Sequence, residues 1–134
     1  MAFDRAIATL TIFCEASSAS QEERVAIAWT IFNRVRDGRF GKTVAGVCLK
    51  RYQFSEWNGD AADNANLERG ANTPGNDPVM LACASAYDEV QGSTNDPTKG
   101  ATHYHDNSIA PPAWTQSAAM TLATPKFKFY AGVK

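Results

Sequence analysis

Four groups of residues in this sequence could do chemistry. Glu15 ends an apolar run, beside Phe13 and Cys14 and just before Ala16-Ser17-Ser18-Ala19. A carboxyl group partly withdrawn from water favours its protonated form, which suits a general acid. Gln53-Phe54-Ser55-Glu56-Trp57 interleaves aromatic faces with amide, hydroxyl and carboxyl groups. Such faces stack on sugars or bases while the polar groups bind ring substituents, although the same residues could equally anchor a loop to the core. His103-Tyr104-His105-Asp106 places two imidazoles on one side of a strand. They are the only two histidines, and no HExxH or paired-cysteine spacing accompanies them. A substrate hydrogen bond or an orienting role is therefore a stronger reading than a metal ligand, surface or structural histidines are the remaining reading, and no metal site is expected. Finally, Cys14 or Cys48 with His105 could form a thiol nucleophile pair. Cys48 and Cys83 sit on apolar helix faces, where inert thiols are usual, and the charge of Glu15 works against a Cys14 thiolate.

The elements that must position these groups can be read from spacing. Phe3, Ile7, Leu10 and Cys14 form the stripe of a half-buried helix ending near Glu15. A helix C-terminus carries partial negative charge and disfavours an ionised carboxylate there. Ser20-Gln21-Glu22-Glu23 is a capping box that starts a second helix, with Val25, Ala28, Trp29, Phe32 and Val35 inward and Gly38 as its stop. A short helix is expected over Thr43–Leu49, then an extended piece or tight loop over Tyr52–Trp57. The polar stretch Asn58–Asn76 reads as a surface excursion with one helical turn. Asp77-Pro78 opens a helix that runs to Gly92. Short strands are expected at Thr102–His105 and Phe127–Tyr130. The organisation is helices first and a strand pair last: a mainly helical α+β domain, with no internal repeat.

Composition narrows the partners. The chain has 134 residues, 44% of them hydrophobic, enough for one domain with a true core. With 13 Lys+Arg against 14 Asp+Glu, it lacks the basic field of a nucleic-acid binder. No stretch approaches the roughly 18 apolar residues of a membrane span. An odd count of three cysteines argues against a disulfide framework. Met1–Ser20 has a faint signal-peptide outline, but Thr9 and Thr11 interrupt its apolar run and Asp4 stands where positive charge is expected. A helix of the mature fold is the better reading.

Taken in order, the motifs resemble a known family. Thr11-Ile12-Phe13-Cys14-Glu15-Ala16, Val25-Ala26-Ile27-Ala28, Asn33-Arg34-Val35-Arg36 and Gln53-Phe54-Ser55-Glu56-Trp57 look like the SleB-type cell wall hydrolases, which include spore-cortex-lytic enzymes. The run Pro97-Thr98-Lys99-Gly100-Ala101-Thr102-His103-Tyr104-His105, then Pro112-Ala113-Trp114 and Phe127-Lys128-Phe129-Tyr130, continue the match. The resemblance implies a lysozyme-like, mainly helical catalytic domain with a small antiparallel sheet towards the C-terminus, spanning residues 1–134. It implies cleavage of peptidoglycan glycan strands, with the glutamate of a Gly-Glu-Ala motif, here Glu15, as catalytic acid. Cys14 replaces the usual Gly, Ser17 the usual Arg, and Lys128 a usual His.

The resemblance also implies roles for individual residues. Glu15 is expected to protonate the bond between N-acetylmuramic acid and N-acetylglucosamine. Asn33, Gln53, Ser55, Tyr104 and His105 are expected to supply polar cleft contacts, with Phe54, Trp57 and Trp114 as sugar platforms. A hydrolytic route needs a second carboxylate, for which Glu56 and Asp106 are candidates; a lytic transglycosylase route, to which the resemblance leans, does not. No cofactor, nucleic acid or membrane insertion is implied, and a monomer is expected. The setting expected is a bacteriophage endolysin, released from the host cytoplasm by a holin to act on the wall, with a virion-associated lysin or a prophage enzyme as the other settings. The alternatives are a non-catalytic glycan-binding or structural domain and a Cys14-dependent cell wall peptidase.

Overall fold

The computed structural model describes residues 2–50, 54–59 and 61–134. Helix α1 (Ala2–Ala16) buries Ala8, Ile12 and Phe13, with Ile7 and Leu10 packed alongside, as the stripe requires. Helix α2 (Gln21–Asp37) begins with the expected capping box. The Ser20 hydroxyl accepts from the Glu23 amide at 3.1 Å, and the Glu23 carboxylate accepts from the Ser20 amide at 3.0 Å. Gly38 ends it in the left-handed region at φ 86°. Helix α3 (Val44–Leu49) and helix α5 (Pro78–Gln91) follow, the latter capped by the Asp77 side chain and opened by Pro78. Helices α1, α2 and α5 pack on one another, and α3 lies against both α1 and α2.

Two expectations fall here. The Asn58–Asn76 excursion contains a full helix, α4 (Ala61–Ala71), which packs on α1. Gly70 explains the close approach: a Cβ there would stand 3.1 Å from a Leu10 methyl and 3.3 Å from the Phe13 ring. The strand pair is also incomplete. Strands β1 (His103–Asp106), β2 (Ala119–Ala123) and β3 (Phe127–Ala131) form an antiparallel sheet in the order β1-β3-β2. Tyr104 pairs with Phe129 and His103 with Tyr130, while the β2–β3 register shifts between Met120 and Leu122. Short 3-10 turns at Ser55–Trp57 and Ala113–Ser117 complete the described elements.

The sheet has two different faces because side chains alternate along each strand. Phe127 and Phe129 join the helical core, and Tyr104 packs on both rings at centroid distances of 5.6 and 5.5 Å. His103, His105 and Tyr130 point the other way and stack with Trp114. Glu23 ties the sheet to the helices. Its second carboxylate oxygen accepts from the Thr124 hydroxyl at 2.6 Å and the Lys126 amide at 2.9 Å, both in the β2–β3 turn. No described helix is long and apolar enough to cross a membrane.

Candidate active site

Glu15 lies in the last turn of α1, half-buried, and the Tyr104 hydroxyl donates a hydrogen bond to its Oε1. The partner comes from β1, on the sheet face that meets the core. Burial first, then the charge of Glu15 and the hydrogen bond to it, push the Tyr104 hydroxyl well above its ordinary range. Tyr104 therefore stays neutral and acts as a fixed donor. Among the described residues, no hydrogen bond reaches Oε2.

Arg34, in α2, lies within electrostatic reach of both Glu15 and Tyr104. Its guanidinium sits 5.2 Å from the Phe40 ring centre and 4.9 Å from that of Phe54, and its Nε donates to the Thr102 carbonyl at 2.6 Å. Burial lowers its affinity for a proton, while Tyr104 and Glu15 act in the opposite direction. An arginine nevertheless remains charged, so a buried cation lies within electrostatic reach of the Glu15–Tyr104 pair. It was missed as a site residue, yet a signal was present: Ile27, Ile31 and Arg34 share one helical face, so the arginine interrupts an apolar stripe.

The aromatic-polar cluster divides on inspection. Gln53 lies outside the described residues. Phe54, expected as a sugar platform, is instead fully buried beneath Arg34. Trp57 packs against the core, and its indole Nε1 donates to Thr11 Oγ1 at 2.9 Å, one turn before Glu15. Both aromatics anchor the 54–57 segment to the helix that carries Glu15. Ser55 is exposed. Glu56 is 2% exposed and close enough to Cys14 and Tyr104 to act on both electrostatically.

The remaining candidates are not at the Glu15 carboxyl. Asn33 is buried, and its amide donates to Asp96 Oδ2 at 2.9 Å and the Ala101 carbonyl at 3.0 Å, fixing the loop that leads into β1. It holds the strand rather than a sugar. His105 is 5% exposed, with Nε2 facing the Tyr130 hydroxyl at 3.1 Å. Trp114 covers His103, His105 and Tyr130. Both stand on the sheet face opposite Tyr104, because one residue along a strand changes the face. Asp106 is exposed and accepts from the Ser108 amide at 2.7 Å within its own turn.

The thiols are chemically quiet. Burial, then the charges of Glu56 and Glu15, push the Cys14 thiol up to about 12. Burial likewise raises Cys48 to about 12 and Cys83 to about 11. A nucleophile at neutral pH needs the opposite shift. His103 is held down to about 4 by burial and by the nearby charges of Arg34 and Arg39, so it is neutral at working pH. Among the described residues no three His, Cys, Asp or Glu side chains group as a metal site would require.

The arrangement is thus a half-buried carboxyl, steadied by a neutral phenol, with a buried cation within electrostatic reach. That is suited to giving and retaking a proton. The fold is similar to that of the catalytic domain of the Bacillus cereus SleB protein, at 21% identity and TM-score 0.72, covering 98% of this chain and 91% of that one. It is also similar to the catalytic domain of the germination-specific lytic transglycosylase SleB from Bacillus anthracis, at 23% identity and TM-score 0.70, covering 96% and 93%. No curated protein matches. The model of the cell wall hydrolase family matches residues 18–130. That span begins three residues after Glu15, so the proposed acid rests on geometry, but it takes in most of the chain. The chain belongs to the cell wall hydrolase family of enzymes.

Proposed function

We propose that the enzyme cuts peptidoglycan glycan strands between N-acetylmuramic acid and N-acetylglucosamine, with Glu15 as acid and then base. The observation that carries this is the hydrogen bond from Tyr104 to Glu15, which orients one carboxyl oxygen. In the first step the Glu15 proton passes to the glycosidic oxygen. The bond from muramic acid C1 breaks, its electron pair leaves with the N-acetylglucosamine oxygen, and the sugar gains oxocarbenium character. Arg34 stabilises the carboxylate that results.

In the second step the 6-hydroxyl of the same muramic acid attacks C1 and Glu15 takes its proton, closing a 1,6-anhydro ring. The surroundings favour this route over hydrolysis. Water activation calls for a second carboxylate beside the sugar. Glu56 is buried beyond the reach of incoming solvent, and Asp106 is engaged in a turn. The similarity to a lytic transglycosylase catalytic domain supports the same product.

Mass spectrometry of muropeptides released from purified peptidoglycan tests both parts. Anhydromuramic ends with wild-type protein and none with Glu15→Gln are expected. Hydrated ends would overturn the route, and full activity of Glu15→Gln would overturn the acid. Release from a host cytoplasm by a holin is the delivery that goes with an endolysin reading. Co-expression with and without a holin tests it, with rapid lysis expected only with one.

A further inference from the structure

The turn that follows Glu15 carries more positive charge than its fold explains. Arg24 has an evident structural role, since its Nε and Nη2 donate to the carbonyls of Ala16 and Ser17 at 3.0 and 2.8 Å, closing the end of α1. Arg69 and Lys126 have no such role. Arg69 reaches from α4 with its guanidinium 4.8 Å from the centre of the Phe13 ring, and Nη2 donates to Ser17 Oγ at 3.2 Å. Lys126 reaches from the β2–β3 turn, and Nζ donates to Ser18 Oγ at 3.3 Å. Neither makes an ion pair with a described residue; the two ion pairs found are Arg5–Asp88 and Arg39–Asp37.

A pocket of about 400 Å³ opens here, lined by Phe13, Ser17, Ser18, Arg69, Thr73, Asp77 and Val79, and Lys126 meets it through its hydrogen bond to Ser18. The one carboxylate in this lining, Asp77, accepts from the Val79 and Met80 amides through Oδ2 as the cap of α5 and forms no ion pair with Arg69. Both serine oxygens accept from a cation, which leaves their hydroxyl protons to donate to a ligand. A guanidinium laid on an aromatic face is held in orientation for a planar anion. Ser18 lies three residues beyond Glu15, a chain length that cannot exceed about 11 Å.

We propose that this turn is an anion subsite in which Arg69, Lys126 and the Ser17 and Ser18 hydroxyls hold a carboxylate on the lactyl-peptide branch of the muramic acid unit. The subsite rests on the glycan-cleaving reading above and extends it to the substituent that distinguishes muramic acid from its neighbour. That carboxylate has two sources. In strands stripped of peptide it is the free lactyl group; in intact wall the lactyl group is an amide, and the charge belongs to the stem peptide.

Steady-state kinetics test it on intact peptidoglycan, on the same material stripped by an amidase, and on each of these amidated with carbodiimide and ammonia. Arg69→Gln, which keeps the stem on Phe13 but removes the charge, raises KM about tenfold on the charged substrate, as loss of a charged hydrogen bond would, with kcat nearly unchanged. Arg69→Lys recovers part of the loss, and Lys126→Ala behaves like Arg69→Gln. On amidated substrate wild type falls to the level of the variants. Whichever charged substrate shows the larger gap identifies the source. An equal KM for wild type and Arg69→Gln, or a gap that survives amidation, overturns the subsite. If Glu15→Gln is inactive while Arg69→Gln ignores substrate charge, the subsite alone fails. If Glu15→Gln is fully active, the reading beneath it fails too.

Discussion

Tyr104 and Glu15 stand 89 residues apart in the chain, yet the phenol of one donates to the carboxylate of the other. The bond joins the sheet to the helix end that carries the proposed acid. Its chemical effect is orientation, since the phenol is too weak an acid in this setting to exchange its own proton. Tyr104→Phe keeps the ring packing on Phe127 and Phe129 and removes only the donor. We expect kcat for muropeptide release to fall by about 10- to 100-fold, as loss of a hydrogen bond to a charged group would cause, with KM little changed. Unaltered kcat would separate Tyr104 from the chemistry.

Asn33 should behave as a structural residue. Replacing it with Ala leaves the Ala101 carbonyl and the Asp96 carboxylate each without this donor. The expected cost is about 2 kcal/mol of unfolding free energy, read from urea unfolding. A large fall in kcat with unchanged stability would restore it to the cleft.

Acid should unfold the protein in two stages of the same sign. Burial would raise the Glu23 carboxyl, but hydrogen bonds from Thr124, Ser20 and Lys126 outweigh it and hold the group below its ordinary value. Its contribution is complete above about pH 4.3 and fades as pH falls further. His103 is held down to about 4 by burial and by Arg34 and Arg39. The unfolded chain binds its proton first, so stability declines from about pH 6.5 downward. His103→Gln should flatten the upper part of a plot of unfolding free energy against pH, and Glu23→Gln the lower part. If both slopes persist, other groups govern the acid limb.

The thiols should be slow to react. With Cys14 raised to about 12, roughly one molecule in 10⁵ carries the thiolate at pH 7. Iodoacetamide at pH 7 should therefore leave muropeptide release unchanged while native thiols alkylate far more slowly than in urea. Rapid inactivation through Cys14 would revive a thiol mechanism.

Much of the frame was legible because it is written in local signals. Ser20 and Glu23 announce α2, Asp77-Pro78 announces α5, and Gly38 stops α2 in the left-handed region. Helix α4 was hidden because Asn64, Asn66 and Gly70 are poor helix formers. Packing on Leu10 and Phe13 overrides that preference, and the contact is invisible in a linear reading. Strand β2, Ala119-Met120-Thr121-Leu122-Ala123, is an edge strand with little β-branched character, held by pairing to β3. Within the site, Glu15 and Tyr104 were identified individually, but their meeting depends on which strand face turns inward. The same alternation carries His105 and Trp114 away from the acid. Trp57 turns from an expected platform into the partner of Thr11 because its indole finds a buried acceptor there.

Gly70 sits immediately after Arg69 on α4, in a notch only as deep as a glycine. A methyl group at residue 70 would meet Leu10 and Phe13 at 3.1 and 3.3 Å and ask a few tenths of an ångström of them, and that Phe13 ring is the one under the Arg69 guanidinium. The packing of α4 on α1 and the seat of Arg69 thereby share one ring, and a change on the inner face of α4 would be felt at both.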